Sequence, residues 1–572
     1  MLDEAKLNKA IWVLLLMLAS ACGGHEADFA RSLAVKAPAE IVLHRGKIVT
    51  ADRDFSIHQA VAVKDGRFLA VGSERDIRPL IGPTTRVIDL AGRTVIPGLI
   101  DSHIYATVAG LTWDNEIRWE MTRTLADGLR QIGAAAKAKP RGSWIVVGGG
   151  WVPTQFAERR FPTLAELDAA APNHPVFVQY LREGALLNSA GLAAAGIARG
   201  TPDSPGGKFQ RNPKTMELTG WLQGAALHYV YNKMPRPALN EARQGLENCF
   251  RELNRVGITS ISDLQTSGIT FAHRRVLAGM ARSGELTVRM NIYVAADERS
   301  GKQLEQTLAE IKTLDQSDYF RFAGFFDGAT GEALSNGSLR AQQAKEDFQQ
   351  KIKFFAQGGR NLHLYTGSDS GARQLLDVLE AAHPATPFNR IVFAGLDDPT
   401  PETIERLKRL GGGLAVLDRM ALTGERNVEL WGLEKARNAP PLRAMAQAEL
   451  PMGAGTGAFQ GSSYSPMLAL SWLVTGKTVA GSVIRSPSQN LTRAEALRLY
   501  TTGSAWLTFE EGRKGSIEVG KFADLAVLNA DYLTVPEEQI RSLQSLLTMV
   551  GGRVVYAAAP FEQAERIKRQ RK

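Results

Sequence analysis

The chain has 572 residues, 44% of them hydrophobic and 22% charged, with a formal net charge of +9. That length and balance describe a globular protein with more than one core, and they exclude a disordered or fibrous chain. The densest basic run, "ERIKRQRK", falls in a C-terminal stretch (561–572) that reads as a solvated tail, and no interleaved basic and aromatic signature makes nucleic acid an expected partner.

At the N-terminus Lys6 and Lys9 precede "AIWVLLLMLA", an apolar run too short to span a bilayer, and small residues then lead into Cys22, Gly23 and Gly24. The pattern resembles a bacterial lipoprotein signal. It implies a signal peptide over 1–21, lipidation of Cys22, a linker over 22–38, and a mature protein anchored by lipid to the membrane of the cell envelope, facing the periplasm or the exterior. The competing reading is a plain cleaved signal with an incidental cysteine. Cys249 is then the only unmodified thiol, so the mature chain has no internal disulfide.

Residues 39–95 alternate short apolar strands with turn residues, as in "EIVLHRGKIVT" and "AVAVKDGRFLAVG", and the same texture returns over 512–560 in "GSIEVGKFADLAVLNAD" and "LLTMVGGRVVYAA". Two such blocks flanking a long α/β region predict one β-sandwich assembled from both chain ends. The middle, 96–511, offers eight apolar strand candidates separated by helical stretches: "TVIPGLIDSH", "GITSISDL", "LTVRMNIYV", "FRFAGFFDG", "NLHLYTG", "RIVFAGL", "GGGLAVLD" and "LPMGAG". This predicts an α/β fold, a (β/α)8 TIM barrel with its site at the C-terminal strand ends. A segment of about 110–245, containing "SWIVVGGGWV" and "HPVFVQYLREGALLNS", is too long for a loop and is expected to be a cap over the barrel mouth. Its "GGG" lacks phosphate-loop spacing and reads as turn or packing glycine.

The motifs "VIDLAGRTVIPGLIDSH", "RRFPTLAELDAAAPNHPVFV", "LNSAGLAAAGI", "TPDSPGGKFQRN", "LTRAEALRLYTTGSAW" and "RKGSIEVGKFADLAVLNADYLTVP" occur in this order, and over residues 40–558 the chain resembles the amidohydrolase superfamily, in its large-insert branch with N-substituted formamide deformylase-like hydrolases. The resemblance implies a zinc-dependent hydrolase of C–N bonds. Carried over one position at a time, however, it leaves only His103 of the usual metal ligands. Its H-x-H partner is Tyr105, the fourth-strand lysine position is Ala323, the fifth- and sixth-strand histidines are Tyr365 and Phe393, the eighth-strand aspartate is Gly455 beside Thr456, and the insert histidine is Glu183. His363 alone of the other histidines is placed to join His103, one layer deeper. A catalytic zinc needs about three protein ligands and an open position. No metal or other cofactor is therefore expected, and zinc would require unorthodox ligands.

The expected site is a cavity for a small-molecule substrate or ligand. His103, Tyr105, Tyr365, Glu183 and Asp327 are candidates for acid–base chemistry, and Arg182, Trp151, Tyr180, Asp263 and His363 for substrate binding. Each has a structural alternative: a core histidine, space-filling tyrosines, an Arg182–Glu183 ion pair, and turn or supporting roles for Asp327 and Asp369. Three functions follow: a metal-independent enzyme, which we favour; a lipid-anchored binding protein without activity; and a metallohydrolase with unusual ligands.

Overall fold

The computed structural model describes residues 38–563 apart from 204–205, 236, 267, 297–300, 336–340, 357–359, 383–389 and 460. The expected signal peptide, Cys22 and most of the basic tail lie outside the described residues.

The two ends of the chain meet in one β-sandwich. Its larger sheet has six strands in the order Arg553–Ala557, Ser545–Val550, Leu525–Leu528, Thr94–Pro97, Lys47–Val49 and Ile57–His58. The seam between ends is the antiparallel pair Leu525↔Pro97, Ala526↔Ile96 and Val527↔Val95. A second sheet of four strands, Arg67–Gly72, Ala60–Lys64, Ile41–His44 and Arg86–Asp89, covers it. Leu43, Ile48, Val63, Val95, Leu525 and Met549 fill the space between, as the alternation of apolar residues along each strand requires. Phe561 packs into this core beneath the Arg93 guanidinium, so the sandwich extends one residue into the stretch expected to be tail.

Eight parallel strands follow one another around the barrel in chain order: Leu99–Ile104, Ile258–Gln265, Arg289–Ala295, Phe320–Asp327, Asn361–Tyr365, Ile391–Ala394, Gly413–Leu417 and Met452–Gly455. They read as near-continuous buried runs because helices cover the outer face. One outer helix, Leu239–Arg255, buries Ala242, Leu246, Cys249, Phe250 and Leu253, which recur at the helical period along one side. The expected first strand "TVIPGLIDSH" divides at Gly98, the first four residues joining the sandwich and the last five entering the barrel strand, which runs on to Ile104. A Cβ at Gly98 would come within 2.2 Å of the Thr259 hydroxyl oxygen, so the crossing between sheets is open only to glycine.

The N-terminal face of the barrel is closed by charge. The buried Lys514 ammonium donates to Ser260 Oγ at 2.6 Å and pairs with Glu510 at 2.5 Å, while Glu510 also takes Asn291 Nδ2 at 2.7 Å and Arg321 at 3.3 Å. Burial by itself would raise the Glu510 carboxyl, but Lys514 and Arg321 overcome it and hold Glu510 at about 2. Arg289 and Asp524 form a second buried pair, at 2.7 Å.

The insert between the first two strands is a six-stranded sheet, ordered Gly207–Arg211, Leu218–Gly224, Gly184–Leu187, Val176–Tyr180, Ile145–Val147 and Glu116–Ile117, with a core of Trp119, Trp151, Phe156 and Leu167. It docks on the barrel through the "GGG" turn: a Cβ at Gly150, whose φ is +86°, would lie 2.7 Å from the Ser462 carbonyl oxygen.

Removing one partner of a buried ion pair leaves an uncompensated charge, at a cost of about 3–5 kcal/mol. Lys514→Met is therefore expected to lower the unfolding free energy by about 3 kcal/mol at neutral pH, read as a fall in the urea midpoint at unchanged slope; an unchanged midpoint would show that Arg321 and Asn291 suffice for Glu510.

Candidate functional site

A cavity of about 440 Å³ opens at the C-terminal end of the barrel, lined among others by His103, Tyr105, Tyr365, Arg419 and Thr456, and covered from the cap by Arg182. His103 stands one residue before the end of the first strand, where a buried run of alternating side chains carries it inward. Its Nδ1 lies 3.0 Å from Nε2 of His363, and both rings are buried. One nitrogen donates and the other accepts, which commits one nitrogen of each ring to the other. Burial, followed by His363, Arg182 and Arg419, holds His103 well below the usual imidazole range, and burial brings His363 down to about 3. At neutral pH both are uncharged.

His103 is fixed from behind by Asp101, two residues earlier on the same face. The Asp101 carboxylate accepts from the His103 amide at 3.0 Å, the Thr456 amide at 3.1 Å and the Thr456 hydroxyl at 2.6 Å. The eighth strand is thereby drawn against the first so closely that a Cβ at Gly455 would lie 2.6 Å from the His103 nitrogen.

Opposite His103, Tyr365 accepts a hydrogen bond from Arg419, which is itself paired with Asp397 at 2.7 Å. The Tyr365 ring requires Gly395, where a Cβ would approach to 2.3 Å. Tyr105 caps the short helix Ala106–Gly110, and its ring meets His103 edge-on at 5.6 Å. Asp418, next to Arg419, accepts from Ser462 Oγ at 3.0 Å, while its other oxygen is buried with no hydrogen-bond partner among the described residues, and burial pushes its carboxyl well above the usual range.

Several expected site residues lie elsewhere. Trp151 is in the cap core, donating to the Gln179 carbonyl at 2.7 Å and stacked on Phe156. Tyr180 packs behind the cavity wall against Phe161 and Trp221. Asp263 is held by the Thr107 amide at 2.9 Å and by the Thr107 hydroxyl, and Asp327 caps the helix Thr330–Ser335 through the Thr330 amide at 2.9 Å, so neither carboxylate reaches the cavity. Glu183 does line the cavity, but it pairs with Arg426 rather than with Arg182. His363 contacts His103 from below and is not a cavity wall. Phe393 is in register with Leu364 and joins the main hydrophobic core; Val392 and Ala394, partners of His363 and Tyr365, face the barrel interior. The sequence reading missed Arg419, Asp397, Asp418 and the helix face of Thr423, Arg426, Asn427 and Leu430. The first three directly follow barrel strands, where site residues of this fold are carried, and the last four recur at i, i+3, i+4 and i+7.

These residues do not fit a catalytic zinc. One nitrogen on each of His103 and His363 is spent on the other, and Asp101, Asp263 and Asp327 are each committed to hydroxyls and amides. Among the described residues no group of three or more histidine, cysteine, aspartate or glutamate side chains is placed to share an ion.

Residues 86–556 match the amidohydrolase family. Among curated proteins the chain is similar to the N-substituted formamide deformylase of Arthrobacter pascens, at 27% identity over 90% of this chain and 98% of that protein. Among solved structures it is similar to an uncharacterized metal-dependent hydrolase from Pyrococcus horikoshii OT3, with a TM-score of 0.63 and 19% identity over 87% of this chain and 99% of that one. It is also similar to a zinc-bound adenosine deaminase from Xanthomonas campestris, with a TM-score of 0.52 and 14% identity over 94% and 98% of the two chains. At these identities the structural likenesses establish the barrel fold.

Burial raises Asp101 to about 7 although Thr456 and the His103 amide pull it down. A carboxyl raised in the folded state favours folding below its unfolded value of about 3.9, and that contribution is lost as pH rises through about 7. Asp101→Asn removes the titration, so its stability relative to the parent is expected to rise between pH 4 and pH 8 by up to ~4 kcal/mol. Urea unfolding of both proteins at the two pH values checks this; a difference independent of pH would contradict it.

Proposed function

The chain belongs to the amidohydrolase family, and from that premise we propose that it hydrolyses an amide-like C–N bond of a small molecule without a metal, using His103 and Tyr365. The observation that carries the reading is the single cavity onto which His103, Tyr105 and Tyr365 all open, with Arg419 hydrogen-bonded to the Tyr365 oxygen. A neutral His103 is able to take a proton from water as the oxygen attacks the carbonyl, and to return it to the departing nitrogen. Arg419, by donating to the Tyr365 oxygen, strengthens the phenol as a donor to the oxyanion that forms. With Phe393 turned outward, the space above His103 is left to the substrate.

The low proton affinity of His103 favours a second reading, a binding protein that holds the same small molecule without turning it over. Metal analysis of the purified protein, coupled to a panel of N-formyl and N-acyl amines with and without chelator, separates the readings. Substoichiometric zinc and chelator-resistant hydrolysis are expected, with His103→Ala lowering kcat by about a hundredfold or more and Tyr365→Phe by about tenfold. Stoichiometric zinc with chelator-sensitive activity sinks the proposal; metal-free protein with no activity on the panel favours the binding protein.

We also place the protein on the bacterial cell envelope, on the strength of Lys6, Lys9, the apolar run and Cys22. Among the described residues no helix is long and apolar enough to cross a membrane. Metabolic labelling with a radioactive fatty acid is expected to mark the parent and not Cys22→Ser; equal labelling, or none in either, would remove the anchor.

A further inference from the structure

The geometry points to a substrate that carries a carboxylate, received by Arg182 at the tip of a cap hairpin. The inference rests on the cavity being the working site proposed above, and it names the class of molecule that enters.

Strands Val176–Tyr180 and Gly184–Leu187 pair as far as Tyr180↔Gly184, leaving Leu181, Arg182 and Glu183 as the loop between them. Leu181 has φ +45°, a conformation that a bulky side chain adopts only under constraint, at a cost of about 1–3 kcal/mol. The constraint is visible on both sides of it. Gln179 Nε2 donates to the Leu181 carbonyl at 2.7 Å, Trp151 Nε1 donates to the Gln179 carbonyl at 2.7 Å, and the Glu183 amide returns to the Tyr180 carbonyl at 3.1 Å. Leu181 itself is buried, only 3% exposed. The cap core therefore holds a strained turn whose next residue, Arg182, is set over the barrel mouth. Its stem passes over Gly461, where a Cβ would sit in ordinary van der Waals contact at 3.7 Å from the Arg182 Cδ.

Three arginines line the cavity, and two of them are spoken for. Arg419 is paired with Asp397 and bonded to Tyr365, and Arg426 is paired with Glu183. Arg182 has no carboxylate within ion-pair distance among the described residues. Its charge is nonetheless felt at the base of the cavity, where it is one of the groups that lower His103. A planar fork of donors with no anion, above walls that include Leu417, Leu430 and Trp431, matches a molecule with an apolar body and a carboxylate at one end. With the carboxylate on Arg182, the body of such a molecule descends toward His103 and Tyr365, and a volume of about 440 Å³ is that of a small-molecule site.

The test is equilibrium binding of N-formyl-L-phenylalanine and of its uncharged amide, by titration calorimetry on His103→Ala protein, in which turnover is removed. The acid is expected to bind at least about tenfold more tightly than the amide. Adding Arg182→Gln is expected to bring the two within about twofold of each other, with the unliganded Tm unchanged because Arg182 is exposed, and Arg182→Lys to recover part of the difference. Equal binding of acid and amide, no measurable binding of either, or a preference that survives Arg182→Gln overturns the inference. Zinc-dependent turnover alongside a preserved charge preference would defeat the proposed mechanism and leave this inference standing; metal-free turnover without the preference would do the reverse.

Discussion

One buried carboxylate organises the barrel mouth. Asp101 accepts the His103 amide from its own strand and both the amide and hydroxyl of Thr456 from the strand that closes the barrel. The closure continues upward as the Gly457 amide donates to the His103 carbonyl at 2.8 Å and the Tyr105 amide to the Ala458 carbonyl at 2.9 Å. Because the eighth strand is pulled in so far, position 455 has no room for a side chain, and the first strand's His103 takes the space. The orientation of His103, the glycine at 455 and the hydroxyl at 456 are thus consequences of one hydrogen-bonded contact.

The two ends of the barrel treat charge differently. At the N-terminal face Lys514, Glu510, Arg289 and Asp524 are buried and, with the half-buried Arg321, mutually satisfied, a lattice of full charges that ties the C-terminal segment to the strand starts. At the mouth the groups close to His103 are driven toward neutrality: the imidazoles lose their protons, while Asp101 and Asp418 hold theirs more tightly. Full charge there is carried by arginines on the rim. The mouth is thus a neutral interior beneath a cationic rim.

Much of this architecture was legible in order along the chain. The eight apolar runs are the eight strands, since a strand covered on both faces must be apolar throughout, and the paired β textures at the termini are the two halves of one sandwich. His103, Tyr105, Tyr365, Arg182 and Glu183 line one cavity, to which strand ends and the cap's hairpin bring them. The errors have a common cause. Phe393 packs into the main core, and Asp263, Asp327 and Trp151 are each held by an amide or carbonyl that the folded chain brings to them. Arg419, Asp397 and Arg426 were passed over because no motif marks them; they matter through the partners that the fold brings to them.

What the sequence determined by itself is therefore descent and layout: family motifs over 40–558, strand order and an insert after the first strand. What only the tertiary structure decided is which of the remaining polar groups are already spent. Asp327 and Trp151 look as available as Arg182 when read as letters. A hydrogen bond to a neighbouring helix amide or to a cap carbonyl removes the first two from chemistry, while a strained turn holds the third over the cavity with no carboxylate in ion-pair distance among the described residues, and those bonds join residues that the chain brings together only when it closes.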